Sequence, residues 1–204
     1  MPTVEFFFDC SSPWTYLAFD RIEALCAEEG AELVWKPILV GGVFNEVNKE
    51  LYDLRAHQNP RKEAYYNEKD LQDWARLYEL RIKFKPTVFP VNSVKAMRGA
   101  FVADEDSKLP DYARSVFDAY WGDDLDISRD DVLEEIVAKV DLDPASFFEK
   151  IRSPPIKAML RANTDELIGR GGFGSPTIYV DQSDMYFGND RLPLVREAIR
   201  RSKR

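Results

Sequence analysis

The chain predicts an α/β fold in which a large all-helical insertion separates two sheet-forming pieces, and three observations carry that prediction. Near the N-terminus a short aromatic and β-branched run is followed at once by a helical pattern and a second apolar run, the order of a βαβ unit. The middle of the chain shows helical spacing almost throughout. Strand signals return only near the C-terminus, as two short runs and a last helix, a ββα order. At 204 residues the chain suffices for one domain carrying such an insertion. The expected boundaries are 1–40 with 170–204 for the sheet-bearing domain and 41–169 for the inserted helices.

Taken in order, residues 4–8, with Val4, Phe6, Phe7 and Phe8, read as a buried strand ended by Asp9. Residues 13–29 open on Pro13 at a first helical position, where a missing N–H costs nothing, and set Leu17, Ile22, Leu25 and Cys26 at helical spacing before Gly30. Residues 32–35 give a second strand, closed by Pro37. From Gly41-Gly42 to Tyr66 the sequence is polar and Tyr-rich, with no clear strand. Residues 68–80 then place Leu71, Trp74, Leu77 and Tyr78 on one helical face. Ser93 is positioned to cap a helix carrying Met97 and Phe101, and residues 111–121 bury Tyr112, Val116, Phe117 and Tyr120. Ser128-Arg129-Asp130-Asp131 resembles a capping box ahead of Val132, Leu133, Ile136, Val137 and Val140. Asp143-Pro144 and Ser153-Pro154 repeat a cap-then-proline signature. Residues 177–180 and 185–187, around a turn at 181–184, read as a hairpin before a last helix at 191–201.

A formal net charge of −8 argues against nucleic acid and anionic membrane as partners, since both reward clustered Lys and Arg. The basic cluster Arg200-Arg201-Ser202-Lys203-Arg204 reads as cations at the negative end of the last helix. No apolar run is long enough to span a membrane, and the N-terminus lacks the basic-then-apolar order of a secretory signal, so a cytoplasmic protein is expected. Two cysteines, Cys10 and Cys26, are too few for a disulfide framework, and with the single His57 they form no metal-ligand spacing.

The motif that carries chemistry is Ser12-Pro13-Trp14-Thr15. A strand feeding straight into a helix leaves unpaired N–H groups at the top of a sheet, where they favour an anion. The slot resembles the one that holds Cys-x-x-Cys in thioredoxin-like redox proteins, whose thiolate that helix terminus stabilises. Here both cysteine positions are hydroxyls, Ser12 and Thr15, so no dithiol cycle is possible at this motif. It can instead hold another molecule's thiolate, with Ser12 donating to it. A plain N-cap role for Ser12 is the alternative. Gly169-Arg170-Gly171-Gly172-Phe173-Gly174 matches a dinucleotide fingerprint letter for letter, but a helix precedes it and a strand follows, the reverse of that motif's context. In Ser175-Pro176-Thr177 a cis proline would free the Ser175 backbone to pair with a peptide-like ligand, whereas a trans proline would only start an edge strand. Phe187-Gly188-Asn189-Asp190-Arg191 joins the last strand to the last helix. Asn189 or Asp190 can cap that helix, or backbone N–H groups there can bind a carboxylate while Asp190 binds an ammonium. No G-x-S-x-G elbow surrounds Ser12, His57 shows no sign of placement as a base, and Cys10 reads as an inert buried thiol.

Together these residues resemble the kappa-class glutathione transferases and the bacterial 2-hydroxychromene-2-carboxylate isomerases, within the thioredoxin-like disulfide-oxidoreductase superfamily. The resemblance rests on residues 8–18, on Gly41-Gly42-Val43-Phe44 with Asn48, on Phe89-Pro90, Asn92-Ser93 and Met97-Arg98, and on the two C-terminal motifs. It implies a thioredoxin-like fold, glutathione as cofactor and a homodimer. It puts Ser12 at the glutathione sulfur, the Ser175 backbone beside Pro176 at the cysteinyl part, Phe187, Gly188, Asn189 and Asp190 at the γ-glutamyl end, and Asn48 near the pocket. The expected activity is glutathione-dependent cis-trans isomerisation of 2-hydroxychromene-2-carboxylate or a related small aromatic substrate by thiolate addition and elimination. A kappa-like transferase or peroxidase is the alternative, and a non-catalytic thioredoxin-like binding module the alternative of another class. Trp14, Phe44, Phe84 and Phe89 would wall the aryl pocket. Phe44 stands where related isomerases carry a lysine for the substrate carboxylate, a charge that Arg55, Lys62 or Arg98 would replace.

Overall fold

A computed structural model describes residues 1–47, 49–50 and 59–203. Asn48, Arg55 and His57 lie outside the described residues. The sheet has four strands in the order β2-β1-β3-β4. Strand β1 (Thr3–Phe8) runs through helix α1 (Pro13–Glu28) to β2 (Glu32–Pro37), parallel to β1 with Val4 opposite Leu33 and Phe6 opposite Trp35. Strands β3 (Thr177–Val180) and β4 (Asp184–Phe187) add on the other side as antiparallel neighbours, Phe6 facing Ile178 and Ile178 facing Tyr186. This is a thioredoxin-like mixed α/β sheet. Flanked on both sides and covered on both faces, β1 needs no apolar-polar alternation, which is why four of its residues can be large or β-branched and fully buried.

The two faces of β1 do different work. Phe6 and Phe8 pack with Phe19 of α1 and with Trp35, while Phe7 points the other way into a smaller cluster with Ile38, Val43, Leu167 and Tyr179. Glu5 shares the face of Phe7 and would be costly there alone. Arg170 reaches it at 2.6 Å, also binds Glu166 at 2.6 Å, and stacks 4.0 Å above the Tyr179 ring. The glycine-rich run thus lies between a helix and a strand, its arginine engaged in the sheet.

Helix α2 (Val40–Val47) was not expected from a stretch opening on two glycines. It buries only Val40 and Val43, too few for a clear period. Capped by Asn59, α3 (Pro60–Ala64) passes through a π-helical stretch Tyr65–Asp70 into α4 (Leu71–Leu77). Leu71 is buried but Leu77 is exposed, against expectation: six residues at 3.6 per turn carry Leu77 about 120° away from Leu71. The remaining helices are α5 (Val94–Glu105), α6 (Leu109–Phe117) with a π-helical end Asp118–Gly122, α7 (Asp130–Lys139), α8 (Pro144–Arg152), α9 (Pro154–Gly169) and α10 (Leu192–Ser202). Asp143 caps α8 at the Ser146 N–H, 2.7 Å, but Ser153 makes no capping bond. The expected capping box is absent too, because the Ser128 hydroxyl turns back to Asp126. Instead of capping α10, residues Asn189–Arg191 form a single 3-10 turn.

The same core cluster takes in Phe6 and Phe8 of β1, Tyr16 and Phe19 of α1, and Met97, Tyr112, Phe117 and Trp121 of the helical block. At Gly99 the packing leaves no room for a side chain: a Cβ would fall 2.2 Å from the Tyr112 hydroxyl and 2.5 Å from Phe147. The C-terminal basic residues do more than complement a helix end. Arg196 and Arg200 both grip Glu29 just after α1, and Arg201 pairs with Asp184.

Candidate functional site

Because only four residues separate the end of β1 from the start of α1, its first turn stands at the end of the sheet beside the chain entering β3. Ser12 is the N-cap in extended conformation. Its Oγ accepts from the Thr15 N–H at 3.3 Å and donates to the Ser175 carbonyl at 3.2 Å. The N-cap role is thus observed, and the same hydroxyl also reaches across to the chain entering β3. Ser12 is partly exposed, whereas Thr15 is wholly buried and pairs its hydroxyl with Ser175 Oγ at 2.7 Å. Of the two hydroxyls standing in the cysteine positions, one faces outward and one locks the interior.

The Ser175-Pro176 peptide is cis. Pro176 offers its carbonyl to the Gly188 N–H at 3.1 Å, which ties the two C-terminal motifs together. Gly188 has φ +106°, a backbone region that favours glycine, and a Cβ there would sit 2.8 Å from Asp190 Oδ1. In the loop that follows, Asp190 is exposed and pairs with Arg191 at 2.7 Å, while Asn189 is buried with its Nδ2 unpartnered. A buried amide donor without an acceptor is costly, and a bound acceptor would satisfy it.

The strongest element of the site was not singled out from sequence. Asp9 is 1% exposed, and its carboxylate accepts from the Ser11 N–H at 2.9 Å, the Val40 N–H at 2.8 Å and Ser93 Oγ at 3.1 Å. Its own N–H donates to Ser175 Oγ at 3.1 Å. One carboxylate thus fastens the turn before Ser12, the start of α2 and the start of α5, and Ser93 serves Asp9 rather than its own helix. Burial raises the Asp9 pKa despite the hydrogen bonds that oppose it. An acidic residue directly after three consecutive phenylalanines was the available signal. Cys10 is buried, its N–H directed to the Met97 sulfur and its carbonyl accepting from Trp121 Nε1 at 2.9 Å; burial, then the Asp9 charge, pushes its thiol well up. Both burial and that shift disfavour its thiolate form.

The aromatic residues expected to form one wall fall into two groups. Phe84 and Phe89 pack edge to face at 5.7 Å, with Phe84 stacked on Trp121 beneath Cys10. Phe44 approaches the other end of the site, at Gly174, where a Cβ would lie 3.8 Å from its ring and 2.8 Å from Phe187. There Phe187 packs on Phe173, which sequence reading passed over as loop, with centroids 4.6 Å apart; both are about 40% exposed. Trp14 is half-buried against the core. Of the described candidates for a carboxylate-binding cation, Lys62 lies over Tyr66 and Arg98 faces a separate cavity between α2, α5 and α9.

A model of the DsbA-like thioredoxin domain matches residues 3–200. The chain belongs to the DsbA-like thioredoxin family. Within it, the chain is 29% identical over 201 residues to a 2-hydroxychromene-2-carboxylate isomerase of Pseudomonas sp. (strain C18), covering 96% of this chain and 89% of that protein. It is 27% identical over 212 residues to the glutathione S-transferase kappa 1 of Homo sapiens, covering 97% and 90%. A solved 2-hydroxychromene-2-carboxylate isomerase superposes with a TM-score of 0.82 at 27% identity, over 99% of this chain and 96% of that one. These DsbA-like relatives are enzymes, and the resemblance read from the sequence is borne out. Among the described residues no helix is long and apolar enough to cross a membrane and no cluster has the makings of a metal site.

Proposed function

We propose that this protein is a glutathione-dependent isomerase acting on 2-hydroxychromene-2-carboxylate or a related small aromatic substrate. The observation that carries the reading is the Ser12 hydroxyl. It is held at the first turn of α1 between the Thr15 N–H and the Ser175 carbonyl, beside a cis proline, with no cysteine in either position of the motif. When bound, glutathione supplies a thiolate that adds to a conjugated carbon and leaves again, so that one C–S bond is made and broken while the former double bond turns. The residues present fit that group. The Ser12 hydroxyl hydrogen rotates, so it can leave the Ser175 carbonyl and donate to sulfur. The α1 terminus and that donor favour the charged form of a thiol at neutral pH. Ser175 would hold the cysteinyl backbone, and Phe187, Gly188, Asn189 and Asp190 the γ-glutamyl end, where Asn189 Nδ2 is a buried donor in need of an acceptor. Phe44, Phe173 and Phe187 give an apolar surface suited to an aryl ring.

Calorimetric titration with reduced glutathione tests the cofactor. Binding should weaken about tenfold or more in Ser12→Ala and in Asp190→Ala, as expected for losing a hydrogen bond to a charged group. Absence of binding in the unaltered protein would remove the cofactor and leave the binding-module reading. The kinship to kappa transferases keeps conjugation as the second reading: an isomerase returns glutathione unconsumed, a transferase does not.

A further inference from the structure

The geometry points to a second small-molecule site, independent of the glutathione reading, that binds an apolar monocarboxylate between α2, α5 and α9. A cavity of about 670 Å³ opens there, a size in the range of small-molecule sites. Its floor is Arg98. The Arg98 Nε is buried with no hydrogen-bond partner, and no carboxylate of the described residues lies within ion-pairing distance of the guanidinium. A part-buried guanidinium left without an anion is unusual, because its desolvation is uncompensated.

Leu39, Leu160 and Ile168 give it an apolar part, Thr164 and Arg161 add polar groups to the lining, and Lys157 stands exposed on the rim. Two acids also reach the cavity. Asp165 is engaged with Arg161 at 3.4 Å, and Glu46 is exposed at the outer end of α2, where water screens it. With Asp165 engaged by Arg161, Arg98 and the rim Lys157 are left as positive charges without an acidic partner among the described residues, beside the apolar side chains of the cleft. An arginine fork binds a carboxylate in bidentate fashion, and the walls accept a ring or short hydrocarbon body.

This cavity is not the Ser12 site. Gly42 and Glu46 of α2 line it, whereas Phe44, two residues from each and so on the opposite side of the helix, meets Gly174. The two sites share the segment at Leu39 and Val40: Leu39 lines the cavity and gives its N–H to Thr164 Oγ1, while Val40 gives its N–H to Asp9.

The test uses benzoate as probe and benzamide as its neutral counterpart, with binding to the full chain followed by saturation-transfer NMR. Benzoate should bind at least tenfold more tightly than benzamide. Arg98→Met should weaken it about tenfold or more, and Ser12→Ala and saturating reduced glutathione should leave it unchanged. Lys157→Glu, an exposed substitution with no demand on folding, should weaken benzoate severalfold and so keeps the test decisive if Arg98→Met fails to fold. Binding abolished by Ser12→Ala or displaced by glutathione would place the carboxylate at the Ser12 site and overturn the inference. Equal binding of benzoate and benzamide, or no binding of either, would overturn it too.

Discussion

Replacing Asp9 with alanine deletes the acceptor for three donors at once, and the structure sets the size of the effect. The Ser93 hydroxyl can rotate to another acceptor, so its loss is small. The Ser11 and Val40 N–H groups are backbone, cannot turn away, and now donate at 2.9 and 2.8 Å. Each buried N–H left unpaired costs about 1–3 kcal/mol, about 2–6 together. Against this stands the cost of burying the ionised carboxylate, which disappears with it, so about 2–4 kcal/mol of net destabilisation is expected at neutral pH. The pH dependence has a definite sign. Burial raises the Asp9 pKa in the folded state, so folding takes up a proton. Stability from this group is then complete below the ordinary carboxylate pKa and falls as pH climbs through the raised one. The variant lacks that loss, so its deficit should be larger at about pH 4 than at about pH 8. Urea unfolding followed by tryptophan fluorescence across that range measures it. A deficit below about 0.5 kcal/mol, or one that widens with rising pH, would refute the assignment of Asp9 as a buried, incompletely compensated clasp.

Three further outcomes follow from the same geometry. Gly188→Ala puts a Cβ against Asp190 at φ +106° and should cost about 1–3 kcal/mol in thermal or urea melts while weakening glutathione in calorimetry. Cys10→Ala should retain glutathione-dependent turnover, and both buried thiols of the unaltered protein should react with a disulfide reagent only on unfolding; loss of turnover would revive a thiol role for Cys10. Glu29 is held at about 2 by Arg200 and Arg196, so its stabilisation is present above its ordinary pKa of 4.5 and lost as pH falls toward 2. Glu29→Gln should flatten the acid limb of a stability-pH curve over that window, and an unchanged limb would show that the clamp between α1 and α10 contributes nothing.

The elements most legible in the sequence were those with their own periodicity or turn chemistry. Pro13 after Ser12 fixed the start of α1 to the residue, and the hairpin of β3 and β4 was readable from its short β-branched and aromatic runs around an Asp-rich turn. Caps were readable only where no better partner lay nearby. Asp143 caps α8, but Ser93 is drawn away by Asp9 and Ser128 by Asp126. Helix α2 escaped notice because it is held by contacts from outside: Val43 buries in the cluster of Phe7 and Leu167, and the Val40 N–H goes to Asp9. Phe173 escaped for the same reason, since its partner Phe187 belongs to another element.

By itself the sequence determined that the N-terminal motif cannot cycle a disulfide, that a strand delivers Ser12 to a helix start, and that Ser175-Pro176 and Phe187 to Asp190 are the other places to look. Those facts are local, resting on residue type, capping and proline chemistry over a few positions. Only the tertiary structure decided that Ser12 and Ser175, 163 residues apart, share a hydrogen bond, that Gly188 binds Pro176, that Asp9 fastens three elements, and that Arg98 faces a cavity of its own. A buried carboxylate or arginine acquires its meaning from the donors and charges around it. Those neighbours are set by how the sheet orders its strands and how the helices pack, which no short-range pattern encodes.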